Sequence, residues 1–235
     1  MAVDHALLER AASHDEAVLR IYTWSSPTLS LGMHERARLV PEALNAHSID
    51  VVRRPTGGRA LLHHREVTYS VTAPSRGSSL SESYRVINAM LLDALKRLGV
   101  GAEEAPRRGR ATAPDGAACF AEPNVGELIV GGRKLVGSAQ RRDEHAFLQH
   151  GSILLADDQP LVGTLRGSAE IVPAAATLTE TLGRSVSVAE VSDALAAALE
   201  SAAGTLITPL DAHELTDTVA THVQHYRNPL WTYRR

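Results

Sequence analysis

Apolar residues recur at helical spacing most clearly after Ser79. Their intervals of three or four residues predict one long amphipathic helix, because such spacing places side chains on the same face. Ser79 and Glu82 have the spacing of a capping box at its start, and Gly99 follows its last turn. The predicted buried face consists of Val86, Met90, Leu91, Leu95 and Leu98.

Four other segments predict helices. Residues 2–12 group their apolar side chains on one side, and Pro41–Ala46 begins with the proline that is common in a first helical turn. Residues 187–202 begin with a second capping-box pattern, and residues 211–226 begin with acidic residues that can cap a helix. The apolar face of residues 187–202 consists of Val188, Val191, Leu195 and Leu199.

Runs of apolar and β-branched residues between turn residues predict strands. These runs are Val18–Trp24, Thr28–Met33, Ile49–Arg53, Val67–Thr72, Glu127–Val130, Arg133–Ala139 and Phe147–Leu155. Gly131 and Gly132 form a dipeptide typical of a tight hairpin, and the short connections between the last three runs imply antiparallel pairing. The order of elements predicts an α+β fold, with a mostly antiparallel mixed sheet flanked by helices. We expect one domain over residues 1–235, with a small helical part over residues 160–235.

Composition narrows the class of protein. The chain has 235 residues, 44% of them apolar and 22% charged, which is ordinary for a soluble globular protein. A net charge of −3 gives no indication of bulk binding to nucleic acid or to an anionic membrane. The chain has no apolar run long enough for a membrane span, and its start lacks the pattern of a signal peptide. A single cysteine forms no internal disulfide, so we predict a cytoplasmic location.

A first candidate site follows the third predicted strand, in the stretch RRPTGGRALLHH that begins at Arg53. The paired glycines Gly57 and Gly58 allow the backbone to approach a ligand closely. Arg54 and Arg59 flank them with donors suited to a phosphate or a carboxylate. The alternative interpretation is a tight turn with solvated arginines.

Cys119 is the second candidate. A lone cysteine is more often a small buried apolar residue than a nucleophile. Its position favours chemistry, because it follows residues 101–118, a stretch rich in Ala, Gly, Pro and Arg that we interpret as a mobile loop, and precedes the hairpin that carries Lys134. A thiol with its usual pKa of about 8.5 needs a nearby cation or base to react well near neutral pH.

The third candidate is the hairpin strand itself, with the sequence GRKLVGSAQ, followed by LQHGS. A lysine at the position of Lys134 is usually only solvated, but the small residues Gly137 and Ser138 leave room for a ligand. We interpret His150 as a structural or pocket-wall residue. The 11 histidines are scattered without zinc-ligand spacing, so we predict no metal site. Phosphate-loop, dinucleotide and nucleophile-elbow motifs are absent from the sequence.

These three segments, in this order, resemble the biotin/lipoate protein ligase and octanoyltransferase superfamily. The motifs RRPTGGRALLH, ELIVGGRKLVGSAQ and LQHGSILL carry the resemblance, which extends over nearly the whole chain. The cysteine-dependent octanoyl-carrier-protein: protein N-octanoyltransferases of Gram-positive type are the most similar branch. Like them, the chain has the pair Cys119–Phe120 before the lysine hairpin and Arg59 after the paired glycines. The asparagine–aspartate pair that is usual in lipoate ligases is missing from residues 125–128.

The resemblance implies a mechanism. Cys119 would attack octanoyl-acyl carrier protein, and Lys134 would polarise the acyl carbonyl and favour the thiolate. The octanoyl group would then pass to a lysine of a lipoyl-carrier protein, such as the glycine-cleavage H protein. No ATP, metal or redox cofactor is expected, and the enzyme is expected to be a monomer. The implied substrate-binding residues are Arg54, Gly57, Gly58, Arg59, His63, Gly137, Ser138, Ala139, His150 and Gly151.

One departure and three alternatives remain. His64 stands where the superfamily usually has an aspartate, so a hydrogen bond of that carboxylate is lost or replaced. The chain could instead be an ATP-dependent lipoate ligase, in which Cys119 is incidental. It could be an amidotransferase that moves lipoyl or octanoyl groups between carrier domains. A non-catalytic acyl- or carrier-binding protein would bind its ligand without a covalent adduct.

Overall fold

Two sheets form the centre of the fold. The computed structural model describes residues 1–106, 119–120, 126–169 and 172–234. The strands are β1 Val18–Tyr22, β2 Thr28–Leu31, β3 Asp50–Arg53, β4 Leu61–His63, β5 Glu66–Pro74, β6 Glu103–Glu104, β7 Leu128–Val130, β8 Arg133–Arg142 and β9 Ala146–Leu154. The large sheet has the order β1-β5-β9-β8-β7-β6, and all its neighbours are antiparallel. The small sheet has the order β3-β2-β4, with β2 and β3 parallel. The predicted mixed, mostly antiparallel α+β fold is therefore confirmed.

Helices surround these sheets. They are α1 Ala2–Ser13, α2 Pro41–Ala46, α3 Leu80–Arg97, α4 Leu161–Leu165, α5 Leu178–Leu182, α6 Val188–Ala203, α7 Thr216–Arg227 and α8 Pro229–Thr232, with a 3₁₀ helix at Ala212–Leu215. Both predicted capping boxes are formed, at the starts of α3 and α6. After residue 160 the helices pack on different partners: α4 on α2, α6 on α3, and α7 on α1. The assignment of residues 160–235 to one subdomain stays a prediction.

Several details of the predicted elements were wrong. Val86 is 60% exposed, whereas its neighbour Ile87 is buried, because the core lies slightly to one side of the predicted face. Asp211 caps the 3₁₀ helix rather than α7, and Glu214 pairs with Arg10 instead of capping. The short elements β4, β6, α4, α5 and α8 were not predicted as such, because they have too few residues for a periodic pattern. Most of the predicted mobile loop, residues 107–118, lies outside the described residues.

The large sheet has two different faces. We call the one that packs on α3 and α6 the helix face; its side chains include Val67, Tyr69, Val71, Val136 and Ile153. We call the opposite one the polar face; its side chains include Glu66, Thr68, Ser70, His150 and Ser152. Helix α1 packs on the strands β5 and β9 of the large sheet, and His63 of β4 bonds Glu66 on the polar face. No helix among the described residues is long and apolar enough to cross a membrane.

Candidate active site

A β-bulge determines where Lys134 points. Leu128 pairs with Val136 while Ile129 pairs with Lys134, so β8 has one residue more than β7 at this point. The extra residue Leu135 and its neighbour Val136 both pack into the core under the helix face. Lys134 and Gly137 are therefore turned to the same side: a Cβ added to Gly137 would lie 2.9 Å from Cε of Lys134. Regular alternation would have placed residues three apart on opposite faces.

The ammonium group of Lys134 is held by a carboxylate and by Cys119. Its Nζ donates to Oε1 of Glu127 at 2.5 Å and to the carbonyl oxygen of Cys119 at 2.7 Å. Burial alone would lower the pKa of Lys134, but the charges of Cys119 and Glu127 and their hydrogen bonds raise it above its usual value. The side chain is only 2% exposed, so this cation is kept away from water. Lys134 thus presents a fixed positive charge to the thiol.

Cys119 lies beside that charge. Its Sγ is 3.4 Å from Nζ of Lys134, within reach of a charge-assisted hydrogen bond. The residue is half-buried, and its backbone N–H donates to the carbonyl oxygen of Ala60 at 2.9 Å. Phe120, which follows it, packs its ring 4.6 Å from the same ammonium. A nearby cation favours the thiolate, which is the reactive form of cysteine. The predicted pair Cys119 and Lys134 is brought together by the fold.

Arg54 shapes the glycine loop, which we define as residues 54–60. Its buried guanidinium donates to the carbonyl oxygens of Gly57 and Arg59, both at 2.8 Å, and of Ser30 at 3.1 Å. Gly58 has a φ of +91°, and a Cβ added there would lie 2.8 Å from Nη2 of Arg54. The glycine is therefore required both by its backbone conformation and by the arginine that lies against it.

Gly32 and Glu35, which we did not predict as site residues, support the loop from the other side. A Cβ added to Gly32 would lie 1.8 Å from the carbonyl oxygen of Gly58, so the two backbones are in direct contact. The buried carboxylate of Glu35 accepts from the N–H groups of Gly32 and Ala60, each at 3.0 Å. It also pairs with Arg166 at 2.5 Å. The loop is thus bonded on both sides.

His150 links the glycine loop to the first helix. Its Nε2 lies 2.6 Å from Oγ1 of Thr56, and its Nδ1 lies 3.4 Å from Oδ2 of Asp4. Burial lowers the pKa of His150, although the neighbouring carboxylate of Asp4 opposes this shift. Burial alone would raise the pKa of Asp4, but His150, the N-terminal ammonium and Arg20 hold it far below its usual range. The position of Thr56 therefore depends on a buried carboxylate from α1.

His63 belongs to a second buried network. Its Nδ1 lies 2.7 Å from Oε1 of Glu66, and its ring stacks on Trp24 at 4.1 Å between centroids. The same carboxylate oxygen accepts from Thr68 at 2.6 Å and from Ser152 at 2.8 Å. No described residue provides a hydrogen-bond partner for Nε2 of His63. Since Ser152 pairs with Gly137, this network adjoins the Lys134 region on the polar face.

The comparison with known proteins identifies the family. The sequence model of the lipoyl protein ligase A/B catalytic domain matches residues 1–200. The chain belongs to this family. A protein of Kyrpidia tusciae called octanoyltransferase LipM is 41% identical, and the alignment covers 100% of this chain and 94% of that protein. Proteins with the same name from Symbiobacterium thermophilum and Geobacillus kaustophilus are 40% and 33% identical, with 89% and 100% of this chain covered and 83% and 93% of theirs.

Solved structures show the same fold. A lipoate-protein ligase A bound with ATP matches with a TM-score of 0.80 and 21% identity, over 99% of this chain and 92% of that one. The bipartite lipoate protein ligase of Thermoplasma acidophilum matches with a TM-score of 0.77 and 19% identity, over 99% and 89%. At this level of identity the similarity is evidence for the fold alone.

In this member of the lipoyl protein ligase A/B family, the five predicted binding residues on β8 and β9 lie on both faces of the large sheet. Gly137 and Ala139 pair with Ser152 and His150, so all of them lie on the polar face. The hydroxyl of Ser138 instead lies 2.7 Å from that of Tyr69 on the helix face. A Cβ added to Gly151 would lie 2.7 Å from the Tyr69 ring, so this glycine makes room for the tyrosine. The substrate-binding roles of all ten residues stay predictions.

Several residues of the site were missed because their signal lies in contacts distant along the chain. These are Asp4, Trp24, Gly32, Glu35, Glu66 and Glu127. Glu127 was assigned only as the first residue of a strand, although its carboxylate bonds Lys134 seven positions later. A glycine or an acidic residue next to a strand is common in any sequence. The pattern alone therefore contained no sign that these six contribute to one site.

One group of side chains has a composition suited to a metal. Single ligand atoms of His5, Glu9 and His222 lie within 4.8 Å of one another. The two imidazole rings are stacked at 4.0 Å with 13° between their planes. Because nitrogen lone pairs lie in the ring plane, stacked rings do not direct both nitrogens to one ion. The absence of a metal site stays a prediction from the sequence.

Proposed function

We propose that this chain is an acyltransferase that moves an octanoyl group onto a lysine of a lipoyl-carrier protein through a thioester on Cys119. The observation that carries the proposal is the 3.4 Å approach of Cys119 Sγ to the buried ammonium of Lys134. Relatives that cover the whole chain and are named octanoyltransferases support the acyl group. The fold shared with lipoate ligases supports a lipoyl-carrier protein as the acceptor.

The first half-reaction transfers the acyl group to the enzyme. The Cys119 thiolate attacks the thioester carbonyl of octanoyl-acyl carrier protein, and backbone N–H groups of the glycine loop stabilise the oxyanion. The bond between the acyl carbon and the carrier sulfur then breaks. The departing thiolate takes a proton from Lys134, so the carrier leaves as a thiol and Lys134 becomes a neutral amine. The acyl group is now attached to Sγ of Cys119.

The second half-reaction restores the enzyme. The neutral amine of the acceptor lysine attacks the S-octanoyl carbonyl, and the bond between the acyl carbon and Sγ breaks. Cys119 returns as a thiolate, and the proton lost by the attacking nitrogen goes to Lys134, which replaces the one given in the first step. Because an amide is more stable than a thioester, the sum of the two steps needs no ATP.

Further parts of the proposal concern partners and location. We infer that octanoyl-acyl carrier protein is the donor and that a protein such as the glycine-cleavage H protein is the acceptor. We infer a monomer that works in the cytoplasm without a cofactor. Transfer assays with purified carriers, and the mass of the protein in solution by light scattering, test these statements. Efficient transfer from octanoylated H protein to a second carrier domain would instead favour the amidotransferase.

The decisive experiment is intact-protein mass spectrometry after incubation with octanoyl-acyl carrier protein in the absence of ATP. Wild type is expected to gain one octanoyl group that hydroxylamine removes, and Cys119→Ala is expected to gain none. Added H protein should then remove the group from wild type and become octanoylated. The proposal is wrong if no adduct forms without ATP while both proteins modify the acceptor when given ATP and free octanoate or lipoate.

A further inference from the structure

Arg53, the residue before the loop arginine, is a fully buried arginine whose partners are backbone carbonyls. It is 0% exposed. Its guanidinium donates to carbonyl oxygens from two distant parts of the chain: Gly32 at 2.6 Å, Glu35 at 2.6 Å, Thr232 at 3.0 Å, Trp231 at 3.1 Å and Arg234 at 3.2 Å. A planar guanidinium with five N–H groups suits such a convergence, which a lysine cannot reproduce.

The last residues of the chain return these contacts. We call residues 228–234 the C-terminal segment. The indole N–H of Trp231 donates to the carbonyl oxygen of Arg53 at 3.0 Å, so the segment bonds both the side chain and the backbone of that residue. Arg234 stacks its guanidinium on the Trp231 ring at 4.2 Å and donates to the carbonyl oxygen of Met33. The segment is therefore attached at the root of the glycine loop.

The attachment continues into the site. Arg54 follows Arg53 directly and holds the carbonyls of Gly57 and Arg59. Gly32, whose carbonyl accepts from Arg53, is in backbone contact with Gly58. The family model matches residues 1–200, so the C-terminal segment lies outside the matched residues. The side-chain contacts of Lys134 with Cys119 and Glu127, in contrast, involve no atom of the loop; Cys119 meets the loop at its last residue, where its backbone N–H donates to the carbonyl oxygen of Ala60.

We propose that Arg53 is a positioning residue and that the C-terminal segment, through it, holds the glycine loop in place against Cys119. Loosening the segment leaves the thiol beside Lys134 but displaces the backbone groups that receive the acyl substrate. The proposal rests on the proposed function only for its activity measurement. Its structural measurement, hydrogen exchange of the loop amides, is independent of any activity.

The experiment uses the full chain with Trp231→Ala, Arg53→Met and Arg53→Lys. Hydrogen exchange of residues 54–60 is expected to become at least about tenfold faster in Trp231→Ala and Arg53→Met, while exchange in α3 stays unchanged. Single-turnover S-octanoylation is expected to slow by about 10- to 100-fold, because small displacements have large effects on reaction rates. Alkylation of Cys119 by iodoacetamide should stay within about twofold, since the cation beside the thiol is retained. Arg53→Lys should give intermediate values.

Two control variants match the changes. Leu230→Ala alters the same segment at a side chain that is 82% exposed, and Arg97→Met removes an exposed arginine from α3. Both should leave exchange and S-octanoylation unchanged. If Arg53→Met does not fold, the positioning role is tested by Trp231→Ala alone. The positioning role is refuted by unchanged exchange at 54–60, or by equal increases in the loop and in α3. A wild type that forms no thioester refutes the proposed function, while the exchange data still decide the role of Arg53.

Discussion

The two faces of the large sheet use the same strands in different ways. On the helix face, Tyr69 and Val136 pack against side chains such as Leu91 of α3. On the polar face, Glu66, Ser152 and their neighbours form buried hydrogen bonds. Burying a large apolar side chain stabilises the fold by about 1.5–3 kcal/mol, whereas a typical buried hydrogen bond contributes about 0.5–1.5 kcal/mol net. The helix face therefore stabilises the fold, whereas the hydrogen bonds of the polar face fix side-chain positions and add little net stability.

Of the variants that test this difference between the faces, the one that removes the buried cation is expected to change activity and stability most. Lys134→Met should slow transfer by roughly 10²–10⁴-fold, because in the proposed mechanism it removes both the thiolate's partner and the proton carrier. It should also destabilise the protein by about 3–5 kcal/mol, since Glu127 is left as a buried charge without its lysine. Kinetics and urea unfolding measure the two losses. The double variant Lys134→Met with Glu127→Gln should recover stability without activity. If activity returned as well, the role of Lys134 would be refuted.

A cavity on the helix face should lower stability and leave the transfer rate unchanged. Leu91→Ala is expected to lower the free energy of unfolding by about 2–5 kcal/mol, because Leu91 is 1% exposed within the main core. The transfer rate, measured where the variant is still folded, should stay near that of wild type. Val86→Ala, on the exposed side of the same helix, is the matched control and should change neither quantity. A slowed reaction in folded Leu91→Ala would show that the two faces are coupled.

Alanine substitutions at two glycines of the site should differ in their effect on stability. Gly32→Ala should destabilise the protein by about 1–3 kcal/mol, because the new Cβ meets a backbone oxygen that cannot simply rotate away. Gly57→Ala should leave stability unchanged, since a Cβ there meets nothing within 4 Å. Thermal unfolding of both variants measures the difference. Equal stability of the two would contradict the close packing of Gly32 on the glycine loop.

The smallest expected effect is on the dependence of stability on pH. Burial and His222 lower the pKa of His5 to about 4 in the folded protein. An unfolded histidine has a pKa of about 6.5 and therefore binds a proton at a higher pH than folded His5 does. The contribution of neutral His5 to the stability of the fold is complete above pH 6.5 and is lost as pH falls toward 4. Arg141 also lowers this pKa, whereas Glu9 and Asp143 raise it.

His5→Gln tests this assignment. The unfolding temperature of wild type should fall between pH 6.5 and 4.5, and it should fall less in His5→Gln. His150 also has a lowered pKa, so part of the dependence should remain in the variant. His14, which is exposed near the end of α1, provides the control: His14→Gln should retain the whole slope. Identical slopes in wild type and His5→Gln would refute the contribution of His5.

Local patterns predicted the long elements because the physics that specifies them is local. Ser79 and Glu82 form the capping box that begins α3, and Gly131 and Gly132 adopt positive φ values of 56° and 76° in the hairpin turn. The predicted strands end within three residues of the observed ones. The side of α3 that faces the core was placed one residue away, at Val86 rather than Ile87, because the exact direction of a helix face depends on what packs against it.

The sequence by itself determined the class of fold, the family motifs and the pair Cys119 and Lys134 as the candidate chemistry. Tertiary structure alone decided that the pair meets, because a bulge turns Lys134 to the side of Gly137, contrary to simple alternation. It also decided that Glu127, Asp4 and Arg53 contribute to the site. Their partners lie between seven and 181 positions away along the chain. Such contacts leave no periodic trace in a sequence, since they depend on how finished elements pack together.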